Sequence, residues 1–398
     1  MAESNNITAA EAKRAARNAG ALAVASIISK AALFGWQIIL APWLGVADYG
    51  VYGTVGALFA IAAALPNFGM GPIVIRDVAR APKLAGKYLT ATLYMQTVLA
   101  LLAYVGVNIA AAAMDSSEAV RAFTAVAGLS LLIDILGNMC FDILLARERM
   151  VTTSAIEIGH ILLRIGLGWL LLVAGFGLFG VYVATLLTGL GRSLLLWFLL
   201  WRDGVRPEWP LDKIVAKALF FNGLPLALSA FLTLAFQQID KLMSTSLIGE
   251  VGTGYLTAAF VIIFGVVNLM STTILTAIFP LMSRVYGDGK NPLFGFMVEK
   301  LTIFTFIINI PLVILITVFS QDIVLLIFGE DFLPTANIIS ILMLYALLNM
   351  MVGVFSQVLL IENRQKLIFL TRTLSIFINI GLNYLFLIHI GVVGAAIA

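Results

Sequence analysis

The sequence predicts an all-α polytopic membrane protein with two parallel six-helix lobes, of which this chain holds eleven full transmembrane helices and the start of a twelfth. Three observations predict this class: a very apolar composition, a regular alternation of apolar segments with basic loops, and a weak internal duplication. Hydrophobic residues make up 61% of the 398 residues and charged residues 11%, against about 25% charged in a soluble domain. A soluble protein this apolar could not cover its surface, so the composition excludes soluble classes.

Eleven apolar segments are long enough to cross a membrane, which takes roughly 20 residues per helix. They cover residues 19–41, 51–72, 88–113, 119–146, 153–174, 178–201, 217–246, 253–280, 297–319, 333–361 and 367–389. Residues 391–398 begin a twelfth segment that is too short to cross, so we expect the natural chain to continue. The segments divide the chain into a cytoplasmic N-terminal segment, a six-helix lobe, a cytoplasmic linker and a second lobe with an incomplete last helix: 1–17, 18–205, 206–216 and 217–398.

Basic residues concentrate on one side of this predicted arrangement. Most of the 24 lysines and arginines fall in loops on the N-terminal side, in groups such as Lys13, Arg14 and Arg17; Arg76, Arg80, Lys83 and Lys87; Arg147 and Arg149. The opposite loops carry acidic residues, including Asp48, Glu250 and Glu330. The positive-inside rule therefore places the N-terminus in the cytoplasm. Residues 1–17 lack a small-residue cleavage site, so we expect an uncleaved, multi-pass protein of a bacterial inner membrane.

A weak duplication relates the two halves of the chain. Residues 18–80 align with 222–284 at a constant offset of 204, and later segments align at an offset of 214–215. The matched pairs include Asn18 with Asn222, Gly45 with Gly249, Gly50 with Gly254, Leu144-Leu145 with Leu359-Leu360, Arg149 with Arg364, and Gly177 with Gly391. Both copies start on the cytoplasmic side, which makes them parallel. Such repeats are typical of transporters with a substrate path at the repeat interface.

Ionisable groups inside the spans are the candidate site residues, because each costs about 2.5–3.5 kcal/mol at a helix centre unless it faces a cavity or a partner. The candidate substrate-binding residues of a transport cavity are Lys30, Gln37, Arg164, Arg192, Gln237 and Lys241. The candidates for ion coupling or ion pairing are Asp134, Asp142, Glu157, His160 and Asp240. We predict no catalytic residues, no metal site and no cofactor, and the single cysteine, Cys140, excludes an intrachain disulfide.

Lys30 lies midway along the first predicted helix, without an acidic residue within a turn. It is either a cationic contact for an anionic substrate or the partner of Asp240 or Asp134 on another helix. In the seventh helix, Asp240 and Lys241 are adjacent and so point about 100° apart. One of them is expected to face the cavity and the other a neighbouring helix. Gln237 shares a helix face with Lys241.

The fourth and fifth predicted helices each carry a polar stripe. Asp134, Asn138 and Asp142 recur every four residues, and they either accept protons or Na⁺ for coupling or balance Arg164 or Arg192. Glu157, His160 and Arg164 fall in one narrow sector. They either form a polar face that binds sugar or relays protons, or Glu157 pairs with Arg164 while His160 is merely packed.

Proline and glycine also mark the seventh helix. Gly223 and Pro225 are either a flexible point in that helix or part of its first turn, where proline is favoured.

Four segments of the chain resemble the polysaccharide-biosynthesis flippases, the O-antigen and exopolysaccharide exporters of the MATE-like superfamily. They are LGVADYGVYGTVGAL with NFGMGPIVIRDVAR (44–58, 67–80), residues 222–260, IFPLMSRVYGDG (278–289), and LLIFGEDFLPTANIISILML with LLIENRQK (325–344, 359–366). The resemblance implies a MATE-like transporter of twelve to fourteen helices with two lobes and a central cavity. It also implies a polyprenyl-pyrophosphate-linked sugar repeat unit as substrate.

The leading hypothesis is therefore a flippase for lipid-linked oligosaccharides that works by alternating access, with the sugar-lipid and membrane lipids as partners. We expect a monomer that binds no nucleic acid, and coupling to H⁺ or Na⁺ is left open. The alternative is a cation-coupled multidrug or small-molecule exporter of the same superfamily, whose cavity should be acidic and aromatic. A membrane enzyme is disfavoured because no predicted loop is long enough for a soluble catalytic domain.

Overall fold

The computed structural model describes residues 9–114, 116–267, 273–287 and 292–398. These residues are helical almost throughout and contain no strand. The helices are α1 (Ala9–Asn67), α2 (Met70–Arg80), α3 (Ala85–Ala113), α4 (Glu118–Ala146), α5 (Met150–Leu171), α6 (Gly177–Arg202), α7 (Lys213–Val267), α8 (Thr273–Tyr286), α9 (Pro292–Val318), α10 (Ser320–Ile327), α11 (Thr335–Ile361), α12 (Gln365–Ile390) and α13 (Val392–Ile397).

Among the described residues, eight continuous helical stretches are long and apolar enough to cross a membrane. Three of them are 53 to 61 residues long (Gly20–Arg80, Met150–Arg202 and Lys213–Gly265), and each contains a glycine in a non-helical conformation. Roughly 20 residues suffice for one crossing, so each long stretch accounts for two. Counted in this way, the described part is roughly consistent with eleven crossings. This result confirms the predicted all-α polytopic class, and it is roughly consistent with the eleven predicted spans.

The loop predicted between the first two spans is almost absent. Apart from Gly45, with φ 74° and ψ 170°, the backbone of α1 is helical throughout. Residues twelve apart in a straight helix are separated by about 18 Å. The Tyr49 hydroxyl nevertheless donates to the Gln37 carbonyl at 3.1 Å, so the chain reverses at Gly45. This φ/ψ region is essentially restricted to glycine.

Several other boundaries differ from the prediction. Helix α1 begins at Ala9, inside the segment predicted to precede the first span. The predicted span 51–72 is interrupted at Phe68 and Gly69, whose φ angles of 41° and 63° end α1 before α2 starts. The predicted span 253–280 includes residues 268–272, which lie outside the described ranges, between α7 and α8.

The backbone repeats the duplication found in the sequence. Gly249, with φ 83° and ψ −178°, reverses α7 as its repeat partner Gly45 reverses α1. Gly177 and Gly391 also share one unusual conformation, with φ/ψ of 52°/−142° and 69°/−147°. At the ends of α4 and α11, the Arg149 N–H bonds the Leu144 carbonyl at 2.9 Å and the Arg364 N–H bonds the Leu359 carbonyl at 2.8 Å. Both turns are Schellman caps with a left-handed residue before the arginine.

The chain forms two compact units. Unit 1 comprises residues 1–36 and 58–234, and unit 2 comprises residues 37–57 and 235–398. The reversal of α1 thus belongs to unit 2, whereas the first part of α7 belongs to unit 1. Within unit 1, α2, α4 and α6 share an apolar core that includes Met70, Ile143 and Leu196. Within unit 2, the ring of Phe332 packs edge-on against Tyr49.

The start of α7 is fixed by Asp212. Its Oδ1 accepts hydrogen bonds from the N–H groups of Ile214 and Val215 at 3.0 and 3.3 Å. Its Oδ2 accepts from Lys87 Nζ at 3.1 Å, and this bond holds the pKa of Asp212 below its usual value. Helix α7 therefore starts within the predicted linker, and Pro225 lies in the helix interior. The first-turn alternative for this proline is wrong. A Cβ on nearby Gly223 would lie only 2.5 Å from the Phe68 carbonyl oxygen.

Unit 2 contains a reciprocal contact between the two copies of the repeat. A Cβ on Gly50 would overlap the Glu250 carbonyl, and a Cβ on Gly254 would overlap the Val46 carbonyl. Val46 and Glu250 are one repeat pair, and Gly50 and Gly254 are the other. Each glycine therefore packs against the carbonyl that the other copy supplies at the equivalent position. Small residues allow such close helix packing in membranes.

A chain of buried hydroxyls lies in the same region of unit 2. Thr54 and Thr245 are joined at 2.6 Å, Thr245 and Thr253 at 3.0 Å, and Thr253 donates to Ser244 at 3.1 Å. These hydrogen bonds connect the segments of α7 before and after Gly249 to the part of α1 that follows Gly45.

We predict that Gly50→Ala destabilises the protein by about 1–3 kcal/mol, because the added methyl group overpacks a backbone contact. The matched control is Gly56→Ala in the same helix, where a Cβ meets nothing within 4 Å. That change should leave stability unchanged or raise it by up to about 1 kcal/mol, because alanine favours the helix more than glycine does. Thermal unfolding of the purified variants in detergent measures both effects, and equal stabilities would contradict the close contact.

Candidate functional site

A partly buried ion pair joins α5 and α6 in unit 1. Arg192 of α6 reaches Glu157 of α5, with Nε and Nη2 at 2.6 and 2.5 Å from Oε1. Its Nη1 donates to Asn138 Oδ1 of α4 at 3.2 Å. The Arg192 side chain is 9% exposed and that of Glu157 is 25% exposed. One arginine therefore connects three helices through charge-assisted hydrogen bonds, which are about twice as strong as neutral ones.

Gly137 leaves the room that this arrangement needs. A Cβ at this position would lie 2.6 Å from Ser193 Oγ and 2.7 Å from Arg192 Nη1. Ser193 in turn donates to the Ile133 carbonyl at 3.0 Å, which holds α6 against α4. The Arg192 guanidinium also lies 5.8 Å from the ring centroid of Phe141, within the range of a cation–π contact.

The remaining candidates of unit 1 lie around this pair. Asp134 and Arg164 are half-buried, on α4 and α5. His160 is half-buried as well, and its Nε2 has no hydrogen-bond partner among the described residues. Glu157 pairs with Arg192 rather than with Arg164, so the pairing alternative considered for the fifth helix is not the one formed.

Asp142 lies apart from these residues. Its Oδ2 is 2.9 Å from the position of a Cβ on Gly71, in the first turn of α2. The predicted stripe of α4 thus faces two environments, with Asn138 on the Arg192 side and Asp142 on α2.

Lys30 has a different environment. It is exposed on α1, as are Ser26 and Ile27 on the same helix. Within the described ranges no ion pair reaches it. The apolar stretch begins at Gly20, so Lys30 lies roughly 15 Å along the helix axis, near the middle of a hydrocarbon layer about 30 Å thick.

The polar cluster of unit 2 is built on Asp240 of α7. Asn383 Nδ2 of α12 donates to Asp240 Oδ1 at 2.7 Å, and Asn379 supplies a second side-chain hydrogen bond. The Oδ1 atoms of Asn379 and Asn383 are buried and have no hydrogen-bond partner within the described part of the chain. One carboxylate and two amide side chains, each with an unused oxygen, therefore meet between α7 and α12.

The neighbouring candidates of unit 2 point elsewhere. Lys241 Nζ lies 5.8 Å from the ring centroid of Phe260, which is on the segment of α7 after Gly249. Asp240 and Lys241 thus contact different partners, as their angular separation predicts. Gln237 is exposed and Gln37 is half-buried, with its backbone carbonyl bonded to Tyr49.

Sequence reasoning missed Asn379 and Asn383. Their spacing of four residues on α12 is the same signal that selected Asp134, Asn138 and Asp142 on α4. Neither asparagine is ionisable, so the insertion cost that singled out most of the candidates did not point to them. In the described ranges, no group of three His, Cys, Asp or Glu side chains is arranged to hold a metal ion.

These features define a polytopic helical membrane protein. The structure matches an inward-facing multidrug resistance MATE family transporter of the MOP superfamily with a TM-score of 0.72 and 19% identity, covering 93% of this chain and 90% of that chain. It matches the lipid II flippase MurJ, in an inward closed conformation, with a TM-score of 0.73 and 17% identity, covering 94% and 83%. At these identities the matches establish a MATE-like fold.

The sequence profile described as "Polysaccharide biosynthesis protein" matches residues 39–337. The chain therefore belongs to the polysaccharide biosynthesis protein family. It is 21% identical to a "probable low-salt glycan biosynthesis flippase" of Haloferax volcanii, over 96% of this chain and 80% of that protein. It is 25% identical to an "uncharacterized membrane protein in cps region" of Klebsiella pneumoniae, over 53% of this chain and 43% of that protein.

We predict strong energetic coupling between Arg192 and Glu157. In a double-mutant cycle with Arg192→Gln and Glu157→Gln, the coupling free energy should reach about 1–3 kcal/mol, because each single change leaves a buried charge or polar group unpaired. The control cycle uses Glu299 and Lys300, which are 63% and 55% exposed and 3.6 Å apart. It should give about 0–1 kcal/mol. Denaturation in detergent supplies all the values, and additive effects at Arg192 and Glu157 would contradict the pairing.

Proposed function

We propose that this chain flips a polyprenyl-pyrophosphate-linked oligosaccharide repeat unit across a bacterial inner membrane, for O-antigen or exopolysaccharide synthesis. It works by alternating access, as a monomeric transporter rather than an enzyme, with its N-terminus in the cytoplasm. Support comes from the family membership and from similarity to a flippase relative along almost the whole chain. The excess of basic residues in the loops on one side supports the orientation.

The observation that carries the proposal is Lys30. A lysine near the middle of a span is costly unless it faces water, a cavity or a counter-charge. Lys30 is exposed and no carboxylate pairs with it in the described part of the chain. A diphosphate that travels along the transport path would supply the missing counter-charge, while the polyprenyl tail stays in lipid.

The other charges of the spans fit an anionic cargo better than a cationic one. A cation exporter needs carboxylates that are free to meet its substrate. Here Glu157 is bound by Arg192. Lys241 and Arg164 add positive charge, whereas no observation specifically favours the drug-exporter alternative.

Asp240 is our proposed coupling site, with Na⁺ as the coupling ion. Sodium requires several oxygen ligands, whereas a proton requires one acceptor. The amide side chains of Asn379 and Asn383 lie beside the carboxylate, and each has an unused oxygen. A half-turn of an amide about its last torsion exchanges its NH₂ group for its oxygen, so both side chains can turn from donors to the carboxylate into ligands of a cation.

We predict that Lys30→Ala and Lys241→Ala each reduce polymer export by at least about tenfold, which corresponds to about 1.4 kcal/mol of lost stabilisation. Export is measured by complementation of a strain that lacks the transporter, with protein levels checked by immunoblot. Lys30→Arg should restore part of the function because the charge remains. The control is Lys300→Ala, whose side chain is exposed beside Glu299. Full export by the Lys30 and Lys241 alanine variants would refute the assigned roles.

We predict that Asp240→Asn abolishes saturable Na⁺ binding and that Asn383→Ala weakens it by about tenfold or more, as expected when an oxygen ligand is lost. Binding of ²²Na⁺ to the purified protein measures both. Glu157→Gln is the matched carboxylate control and should bind Na⁺ normally. Loss of binding in the Glu157 variant with retention in the Asp240 variant would move the coupling site to unit 1.

A further inference from the structure

A polar pocket of about 540 Å³ opens in unit 1, where α4 ends and α5 begins. Its lining includes three arginines and two carboxylates, together with Asn18 and Thr152: Arg17, Arg147, Arg149, Glu148 and Asp203. None of these residues belongs to the transport site described above. Because the pocket lies at the ends of three membrane-crossing helices, it is placed at the level of lipid headgroups.

The pocket is preorganised by Asp203, at the end of α6. Arg147 Nη1 donates to the Asp203 carbonyl at 2.9 Å, and Arg149 Nη2 donates to Asp203 Oδ1 at 2.8 Å. Asn18 Nδ2 donates to the Glu148 carbonyl at 3.5 Å, which ties α1 to the same turn. One residue thus orients two guanidinium groups. The lining holds three arginines against the two carboxylates of Asp203 and Glu148, so its net charge is positive.

Arg17 adds a third positive charge from α1. It is exposed, and no ion pair reaches it within the described part of the chain. Its guanidinium is therefore available to a ligand without the loss of an internal partner.

The second copy of the repeat provides an internal comparison. Its turn has the same Schellman cap, and Arg364 stands where the first copy has Arg149. Glu362 stands where the first copy has Arg147, and it pairs with Arg364 Nε at 3.3 Å. The backbone turn alone therefore does not require a cluster of arginines. The positive charge of the pocket is a property of the first copy only.

We infer that this pocket binds the phosphate headgroup of a membrane lipid at the cytoplasmic surface. Guanidinium groups bind phosphate through paired hydrogen bonds, and basic pockets between helices on this side of a membrane suit anionic headgroups. Two sources share this chemistry: an anionic phospholipid of the bilayer, and the diphosphate of the lipid-linked substrate. Only the second source rests on the proposed function.

The test measures lipid binding to the purified full chain by native mass spectrometry, with phosphatidylglycerol, undecaprenyl diphosphate and phosphatidylcholine as probes. Arg147→Gln combined with Arg149→Gln should weaken binding of at least one phosphate-rich probe by about tenfold or more. Arg17→Gln should weaken it several-fold, and it tests the pocket even if the double variant fails to fold. Arg364→Gln is the matched control and should bind all three probes normally.

The pattern of loss identifies the source. Weaker binding of phosphatidylglycerol alone assigns the pocket to bilayer phospholipid, and weaker binding of undecaprenyl diphosphate alone assigns it to the substrate. Weaker binding of both confirms a general phosphate site. Unchanged binding in the Arg17 variant, or an equal loss in the Arg364 variant, would overturn the inference. The export assay on Lys30 variants is independent of these outcomes, so failure of the pocket and failure of the flippase proposal are distinguishable.

Discussion

The whole chain is governed by the need to satisfy backbone N–H and C=O groups without water. In hydrocarbon, only helices and closed barrels meet this need. In the described residues, helices continue almost through the turns. Helix α1 reverses at the single residue Gly45, and α7 reverses at Gly249. Keeping the hydrogen-bonded ladder almost unbroken limits the number of polar backbone groups exposed at a reversal. The price is a conformation that essentially only glycine adopts.

The two copies of the repeat share this backbone geometry, but their polar side chains differ. The reversals at Gly45 and Gly249, and the caps before Arg149 and Arg364, recur in both copies. The polar interiors differ, since unit 1 holds Arg192 and Glu157 while unit 2 holds Asp240 between amides. Backbone geometry is under the same physical constraint in both copies, whereas each polar cluster is free to specialise. The two units therefore place different polar groups on a repeated backbone.

The sequence was informative where one helix alone determines the outcome. Apolar length predicted the eleven spans, and angular separation predicted that Asp240 and Lys241 meet different neighbours. Partners on other helices were beyond this reasoning. The ion pair between Arg192 and Glu157 depends on Gly137, because a side chain at this position of α4 would collide with the guanidinium. The sequence also did not predict the break at Phe68, because a φ of 41° is rare for phenylalanine. Phe68 adopts this conformation where it packs against α7.

The composition of the two units has a consequence for biosynthesis. Residues 37–57 belong to the same unit as residues 235–398, so they leave the ribosome long before their packing partners exist. Thr54 meets Thr245, 191 residues later in the chain. The first pair of membrane helices must therefore remain inserted with its glycine face and hydroxyl groups unmatched until the second half of the chain is translated. Completion of unit 2 is a late, long-range event, and the folding of such distant contacts is intrinsically slow.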